Sequence, residues 1–447
     1  MNTQIKKNYT VLFFLALFVL VSITAEPTKL TIEESVSLAM QNNIQLTSTA
    51  IDVRMKKRDK DLAWNVFIPN VQASGTMARS NMSEMIVGVP SMSTTVQLEE
   101  KDRWNAMGNV SIGLNLNAAL FEGLKATRQG YEAGMLTYEQ ARQQTEQNIR
   151  KVFYSILLQE GSLKISKEKL ITSEERMRQT YTNFKNGILP ELSYLQTQLA
   201  VEMQKPSIME AELNIAQQRN MFAFLLGLPM GTEIELDGEI NPTISVFDAD
   251  ELVQKHLGDR LDLALLEKNI ELMHTQLRAT KLQVYTPSLS LNQSFAPKLS
   301  AIDDKWFEKD NWKDQSGAFS LTLAFNLTNL LPFSSMGQKV ESTKDSIQKL
   351  ELARQQALYN AELEIRNLVK KLEKSSTSIT AMELNVRIAE KAWRLTEQGF
   401  KAGTIEYLDL KDAENTLMQA RLGVLSEKFT YISNILDLET ALNTELN

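Results

Sequence analysis

The sequence contains no cysteine and only two histidines, His256 and His274. Without cysteine there is no disulfide framework, no thiolate metal site and no lipid-bearing thiol. The histidines stand eighteen apart in a helical pattern, which is not a metal-ligand spacing. A block of basic residues is missing too, and the net charge of −7 argues against nucleic acid as a partner. The chain carries no GxSxG, P-loop, GxGxxG or HExxH pattern, and its carboxylates are spread over charged helix faces. An enzyme, a cofactor site and a metal centre are therefore not expected. Long apolar runs are also lacking. The run Val11 to Val21 has eleven residues, too few to span a bilayer as a helix.

That run belongs to a recognisable leader. Lys6 and Lys7 precede it, and Ser-Ile-Thr-Ala25 follows before Glu26-Pro27. A basic start, a short apolar run and a small residue at the break form a secretory signal, with cleavage expected after Ala25. No later stretch reads as a membrane helix, so membrane insertion would have to be made by strands.

The rest of the chain is organised as a duplication. At an offset of 216, Glu174, Arg178, Thr180, Phe184, Lys185, Gly187 and Leu192 meet Glu390, Arg394, Thr396, Phe400, Lys401, Gly403 and Leu408. Each stretch ends one helical pattern at a glycine, suited to the left-handed residue beyond a helix end, and starts another just after it. Both read as tips of helical hairpins, and Thr404 is placed to cap the helix that follows.

Before each tip runs a long three–four repeat of apolar positions, Ile149 to Phe184 in the first copy and Ile365 to Phe400 in the second. Five heptads apiece predict coiled-coil packing. From Gly123 to Asn186 the helix would measure about 95 Å, too long for a compact domain. Helices are also expected from Leu30 to about Val66, with Thr31 as N-cap, and from Asp248 to about Val284. Pro69 and Pro287 end them.

Strand patterns follow each proline. Val110–Asn117 and Phe319–Thr328 alternate apolar with Ser, Thr or Asn, while Val71–Met77 and Leu289–Asn292 do so more weakly. About ten residues suits a tilted membrane strand. Trp64, Phe67, Phe121, Tyr285 and Phe333 lie at one end, and Trp104, Trp306 and Trp312 towards the other, as an interfacial girdle would. Polar loops, roughly 80–105 and 297–315, join the strands. Four strands cannot close a barrel alone, so several copies must contribute. Met77, Met82, Met85 and Met92 cluster by the first loop. They could be soft Cu(I) ligands or simply gap-fillers.

The order of these parts resembles the TolC-type outer-membrane efflux protein family over nearly the whole mature chain. The resemblance is carried by the paired units, by Phe-Glu-Gly123 directly after a strand, by Leu-Leu-Gly-Leu-Pro229, and by Phe-Lys-Ala-Gly403…Leu-Asp409…Asp412-Ala413. It implies an α+β membrane protein with a duplicated helix–strand–strand–helix–helix unit. In that fold a long coiled-coil α-barrel is continuous with a trimeric twelve-stranded outer-membrane β-barrel. The expected layout is a signal peptide at 1–25, a first repeat at 26–229 with its β-hairpin about 67–121, a linker at 230–247, and a second repeat at 248–447 with its β-hairpin about 285–328. The implied function is an exit duct of a tripartite efflux or type I secretion system. Its partners would be two further copies of the chain, a periplasmic adaptor, an inner-membrane pump and outer-membrane lipid. Asp409 and Asp412 match the family's tip aspartates and would form a periplasmic gate ring. Gly187, Gly403 and Thr404 would lie at the adaptor-contacting tips. Ile405 stands where some relatives carry a basic latch residue, and Pro190 and Ser193 depart from common tip residues. The alternative is a periplasmic adaptor, or a structural coiled-coil protein of an envelope complex. An adaptor would carry one hairpin set into β-domains, without duplication.

Overall fold

The computed structural model describes residues 28–89, 92–229, 231–299, 312–313 and 317–446. The signal segment 1–25, and most of the second outer loop with Trp306, lie outside the described residues.

A short strand, β1 (Thr28–Leu30), leads into α1 (Ile32–Asn42) and α2 (Ile44–Asp61). Thr31 caps α1 as its sequence suggests. Its Oγ1 accepts from the Glu34 N–H, while the Glu34 carboxylate accepts from the Thr31 N–H. The single helix expected from Leu30 to Val66 is instead broken at Asn43. There the backbone turns extended, the Asn43 Oδ1 accepts from the Leu46 N–H at 3.0 Å, and its Nδ2 donates to the Leu225 carbonyl at 2.9 Å. The side chain thus starts α2 and ties it to a distant helix end, an arrangement that a local pattern cannot reveal.

Two strands and their loop follow: β2 (Asn70–Arg79), then β3 (Glu84–Val89) paired with β4 (Met92–Gln97), then β5 (Trp104–Leu116). The region expected to be a plain polar loop therefore contains a hairpin of its own. Strand β5 runs into α3 (Ala119–Lys185), 67 residues or about 100 Å of helix. A tight turn then reverses the chain into α4 (Glu191–Leu225), which continues through Pro206.

Strand β6 (Ile234–Leu236) lies in the connecting segment and pairs in parallel with β1. The second half opens with α5 (Ala249–His256), breaks at Arg260, and resumes as α6 (Leu261–Tyr285). Here too one long helix was expected and two are found. Strand β7 (Ser288–Phe295), the two-residue strands β8 (Lys298–Leu299) and β9 (Trp312–Lys313), and β10 (Gly317–Ala324) come next. Helices α7 (Ser335–Lys401), again 67 residues, and α8 (Tyr407–Leu442) complete the chain.

The four long strands lie in the order β2–β5–β7–β10, each antiparallel to its neighbour. Their register separates two faces. One carries Val71 beside Ile112, Leu114 beside Leu291, Leu321 beside Leu291 and Leu323 beside Leu289. The other carries Ser111 beside Ser294, Asn115 beside Ser290, Ser320 beside Asn292 and Thr322 beside Ser290. Ser290 donates to Asn115 Oδ1 at 2.6 Å across that polar face. No described helix is long and apolar enough to cross a membrane.

The two largest buried cores lie midway along the long helices, and a smaller one, Leu277, Val284, Val340 and Ile347, joins α6 to the start of α7. Ile149, Phe153 and Ile156 of α3 pack with Phe222 of α4, α1 and the β1–β6 pair. Ile365, Val369 and Leu372 of α7 pack with Leu438 of α8 and α5. These positions correspond at the 216-residue offset, and all eight side chains are at most 3% exposed. Burying such a side chain contributes roughly 1.5–3 kcal/mol.

Candidate functional site at the hairpin tips

Helices α3 and α7 end in the same way. Gly187 and Gly403 have φ of +72° and +75°, a conformation that glycine adopts without a Cβ penalty. The Gly187 N–H donates to Phe184 and the Ile188 N–H to Asn183; the Gly403 N–H donates to Phe400 and the Thr404 N–H to Gly399. This pair of bonds satisfies the last free carbonyls of each helix. Thr404 accordingly belongs to the helix that ends, not to the one that begins. Its Oγ1 donates to the Gly399 carbonyl at 3.0 Å, and Glu406 occupies the N-cap of α8 without a side-chain bond. The expected cap at Thr404 is corrected: both its N–H and its Oγ1 donate back to the Gly399 carbonyl, so the hydroxyl is not turned towards α8.

The side chain of Ile405 lies directly on Gly399, where a Cβ would fall 2.5 Å from Ile405 Cδ1. Apolar packing by Ile405 therefore fills this part of the turn. Aromatic rings fasten both turns. Phe184 stacks on Tyr194 at 6.2 Å between centroids, with Tyr181 5.1 Å from Tyr194, and Phe400 lies 6.2 Å from Tyr407.

Asp409 and Asp412 occupy the first two turns of α8 and are exposed in the single chain. Leu410, Glu414 and Leu417 form the buried face of the same helix. The two carboxylates, three positions apart, share one side of α8, and neither has an ion-pair partner among the described residues. The chain alone brings Asp409 and Asp412 together with each other, but with no residue of the first tip.

A feature that the sequence reading missed lies about two turns inside the tips. Arg176 of α3 donates to Glu414 of α8 at 3.0 Å, with side chains 7% and 11% exposed. Burial raises the Tyr407 hydroxyl's pKa, against the opposing pull of the Arg176 guanidinium beside it. Lys169, bonded to Asn415 at 2.8 Å, has its pKa lowered by burial. Thr180 and Thr197 share a buried 2.8 Å bond in the α3–α4 seam. Nothing periodic marks Arg176 and Glu414, which are 238 positions apart.

Comparison with known proteins places this architecture. The model of the family described as outer membrane efflux protein matches residues 35–228 and 252–444. The probable efflux pump outer membrane protein TtgC and the antibiotic efflux pump outer membrane protein ArpC, both of Pseudomonas putida, are each 22% identical over 424 residues. Each match covers 92% of this chain and 82% of the relative. The crystal structure of the outer membrane protein VceC from Vibrio cholerae superposes with a TM-score of 0.73 at 16% identity, covering 93% of this chain and 97% of that one. The chain belongs to the outer membrane efflux protein family.

Proposed function

We propose that this protein is the outer-membrane exit duct of a tripartite efflux or type I secretion system. It extends from the outer membrane into the periplasm and receives substrates from an inner-membrane pump through a periplasmic adaptor. The observation that carries the reading is the four-stranded sheet with one apolar and one polar face. Among the described residues, β2 and β10 each present an unpaired outer edge. An open edge in lipid leaves backbone groups without partners, and four strands are too few to close. Three successive antiparallel pairings leave β2 and β10 antiparallel to each other, so the edge of one copy fits that of the next. Three copies then give twelve strands in one barrel.

The helices support the same assembly. Within the chain α3 packs on α8, while its repeat-related pair, α7 and α4, makes no comparable seam. Leu192, Leu195, Leu199 and Leu213 of α4, and Leu363, Leu384, Ile388 and Leu395 of α7, stay exposed. In a trimer each set meets the other across copies. Residues 26–229 and 248–447 are the two repeats, and 230–247 joins them. A single-hairpin adaptor would have neither the paired units nor two pairs of membrane-length strands. At the far end, Asp409 and Asp412 form stacked carboxylate rings around the periplasmic mouth, with Gly187, Gly403 and Thr404 at the adaptor-facing tips. Native mass spectrometry and planar-bilayer recording test the proposal. A trimer that conducts is expected; a protein that is only monomeric and gives no conductance refutes it.

A further inference from the structure

Just below the sheet the chain forms a layer of four helices, α2, α3, α6 and α7, each packed on the next. Exposed rings mark the join, Phe121 (68% exposed) at the start of α3 and Tyr285 (63% exposed) at the end of α6. Four positions away from the sheet along each helix stands a lysine, Lys125 beyond Phe121 and Lys281 before Tyr285. Residues four apart share one face of a helix, so ring and lysine point the same way. At 1.5 Å per residue the lysine lies about 6 Å below the ring. A lipid headgroup layer adds about 5–7 Å to each side of the hydrocarbon core. The depths match.

The outer two helices repeat the order. Trp64 (56% exposed) follows α2, with Lys57 some two turns below it, and Phe333 (76% exposed) precedes α7, with Lys339 in its second turn. Asp59 is two positions from Lys57 and so about 200° round the helix. It borders, with Gly123, the hollow between α2, α3 and α6. Gly123 is itself two positions from both Phe121 and Lys125. Asp59 and Gly123 thus face one side of the layer, and Lys57, Phe121 and Lys125 the other.

Three neighbouring acids are already engaged. Glu122 pairs with Arg278 at 3.1 Å, Asp61 with Lys60 at 3.2 Å and Glu341 with Lys344 at 2.7 Å. Lys57, Lys125, Lys281 and Lys339 are exposed and have no ion-pair partner among the described residues. Each helix of the layer therefore offers a free cation below an exposed ring, in a chain whose net charge is −7. Lysines clustered beside a membrane segment attract anionic lipid.

We propose that these four lysines form a basic collar that holds anionic phospholipid headgroups of the periplasmic leaflet. The rings sit at the edge of the acyl chains, and the lysines reach the phosphates one turn further down. The inference rests on the duct reading above and names the lipid that its wall selects.

The test uses the mature trimer in detergent and native mass spectrometry of the lipid it retains. Dioleoylphosphatidylglycerol and dioleoylphosphatidylethanolamine are offered in equal amounts. The wild type is expected to retain the anionic lipid roughly tenfold more than the zwitterionic one. That preference is expected to fade as salt rises from about 0.05 M to about 1 M. The combined variant Lys57→Gln, Lys125→Gln, Lys281→Gln, Lys339→Gln is expected to take both lipids equally, while the same four positions changed to Arg keep the preference. Should the Gln variant fail to assemble, the salt series on the wild type decides alone. Equal retention by the wild type, or a preference that survives the Gln substitutions or high salt, overturns the proposal. So does stronger retention of lipid A than of phosphatidylglycerol, lost in the Gln variant, which gives the lysines to a phosphorylated glycolipid instead. Conductance is read separately, so its absence beside lysine-dependent lipid retention counts against the duct and not against the collar.

Discussion

Arg176 and Glu414 form a buried ion pair that joins α3 to α8 near the tips, and their repeat-related positions are Ala392 and Gln198. The α3–α8 seam thus carries a charge pair, and in the proposed trimer the repeat-related seam between copies would carry none. Because the pair is buried, removing one partner strands the other in a site with little water. Arg176→Met alone is expected to cost roughly 3–5 kcal/mol, whereas Arg176→Met with Glu414→Leu is expected to be near neutral. Thermal unfolding followed by helical circular dichroism measures both; equal losses in the single and double variants would contradict this account.

The exposed carboxylates of Asp409 and Asp412 lead to a different expectation. In the proposed trimer three copies of each would ring a narrow mouth, attracting cations and repelling anions. The channel is expected to prefer cations and to be blocked by multivalent cations added on the periplasmic side. The Asp409→Ala, Asp412→Ala double variant is expected to lose selectivity and block together while remaining trimeric. Planar-bilayer recordings that match the wild type would reduce these residues to complements of the α8 dipole.

Glu439 gives a dependence on pH. It is half-buried on α8, and burial raises its pKa even though the Leu446 N–H donates to it at 3.0 Å and Arg150 lies near. A raised carboxyl pKa means that the folded state holds the proton more tightly than the unfolded chain. Stability from this group is therefore complete below the ordinary value of 4.5 and is lost as pH rises through the raised one. Glu439→Gln is expected to be more stable than the wild type at neutral pH, with the difference vanishing on acidification towards pH ~4. Urea titrations across that range would show the opposite trend if Glu439 were stabilised by its charge.

Much of this protein is determined by local period and local stereochemistry. The heptads of Ile149–Phe184 and Ile365–Phe400, the alternation of Val110–Asn117, the cap at Thr31 and the turns at Gly187 and Gly403 are all local. Each depends on residues within a turn or two, so the sequence alone locates them. The tertiary structure decided what depends on partners far along the chain. Asn43 breaks its helix because the Leu225 carbonyl lies within reach of its amide. Arg176 finds Glu414, and Gly123 opens a hollow, only once α2, α3, α6 and α8 have been laid side by side. Contacts across such separations leave no periodic trace, because a helix face shows that it needs a partner without showing which one.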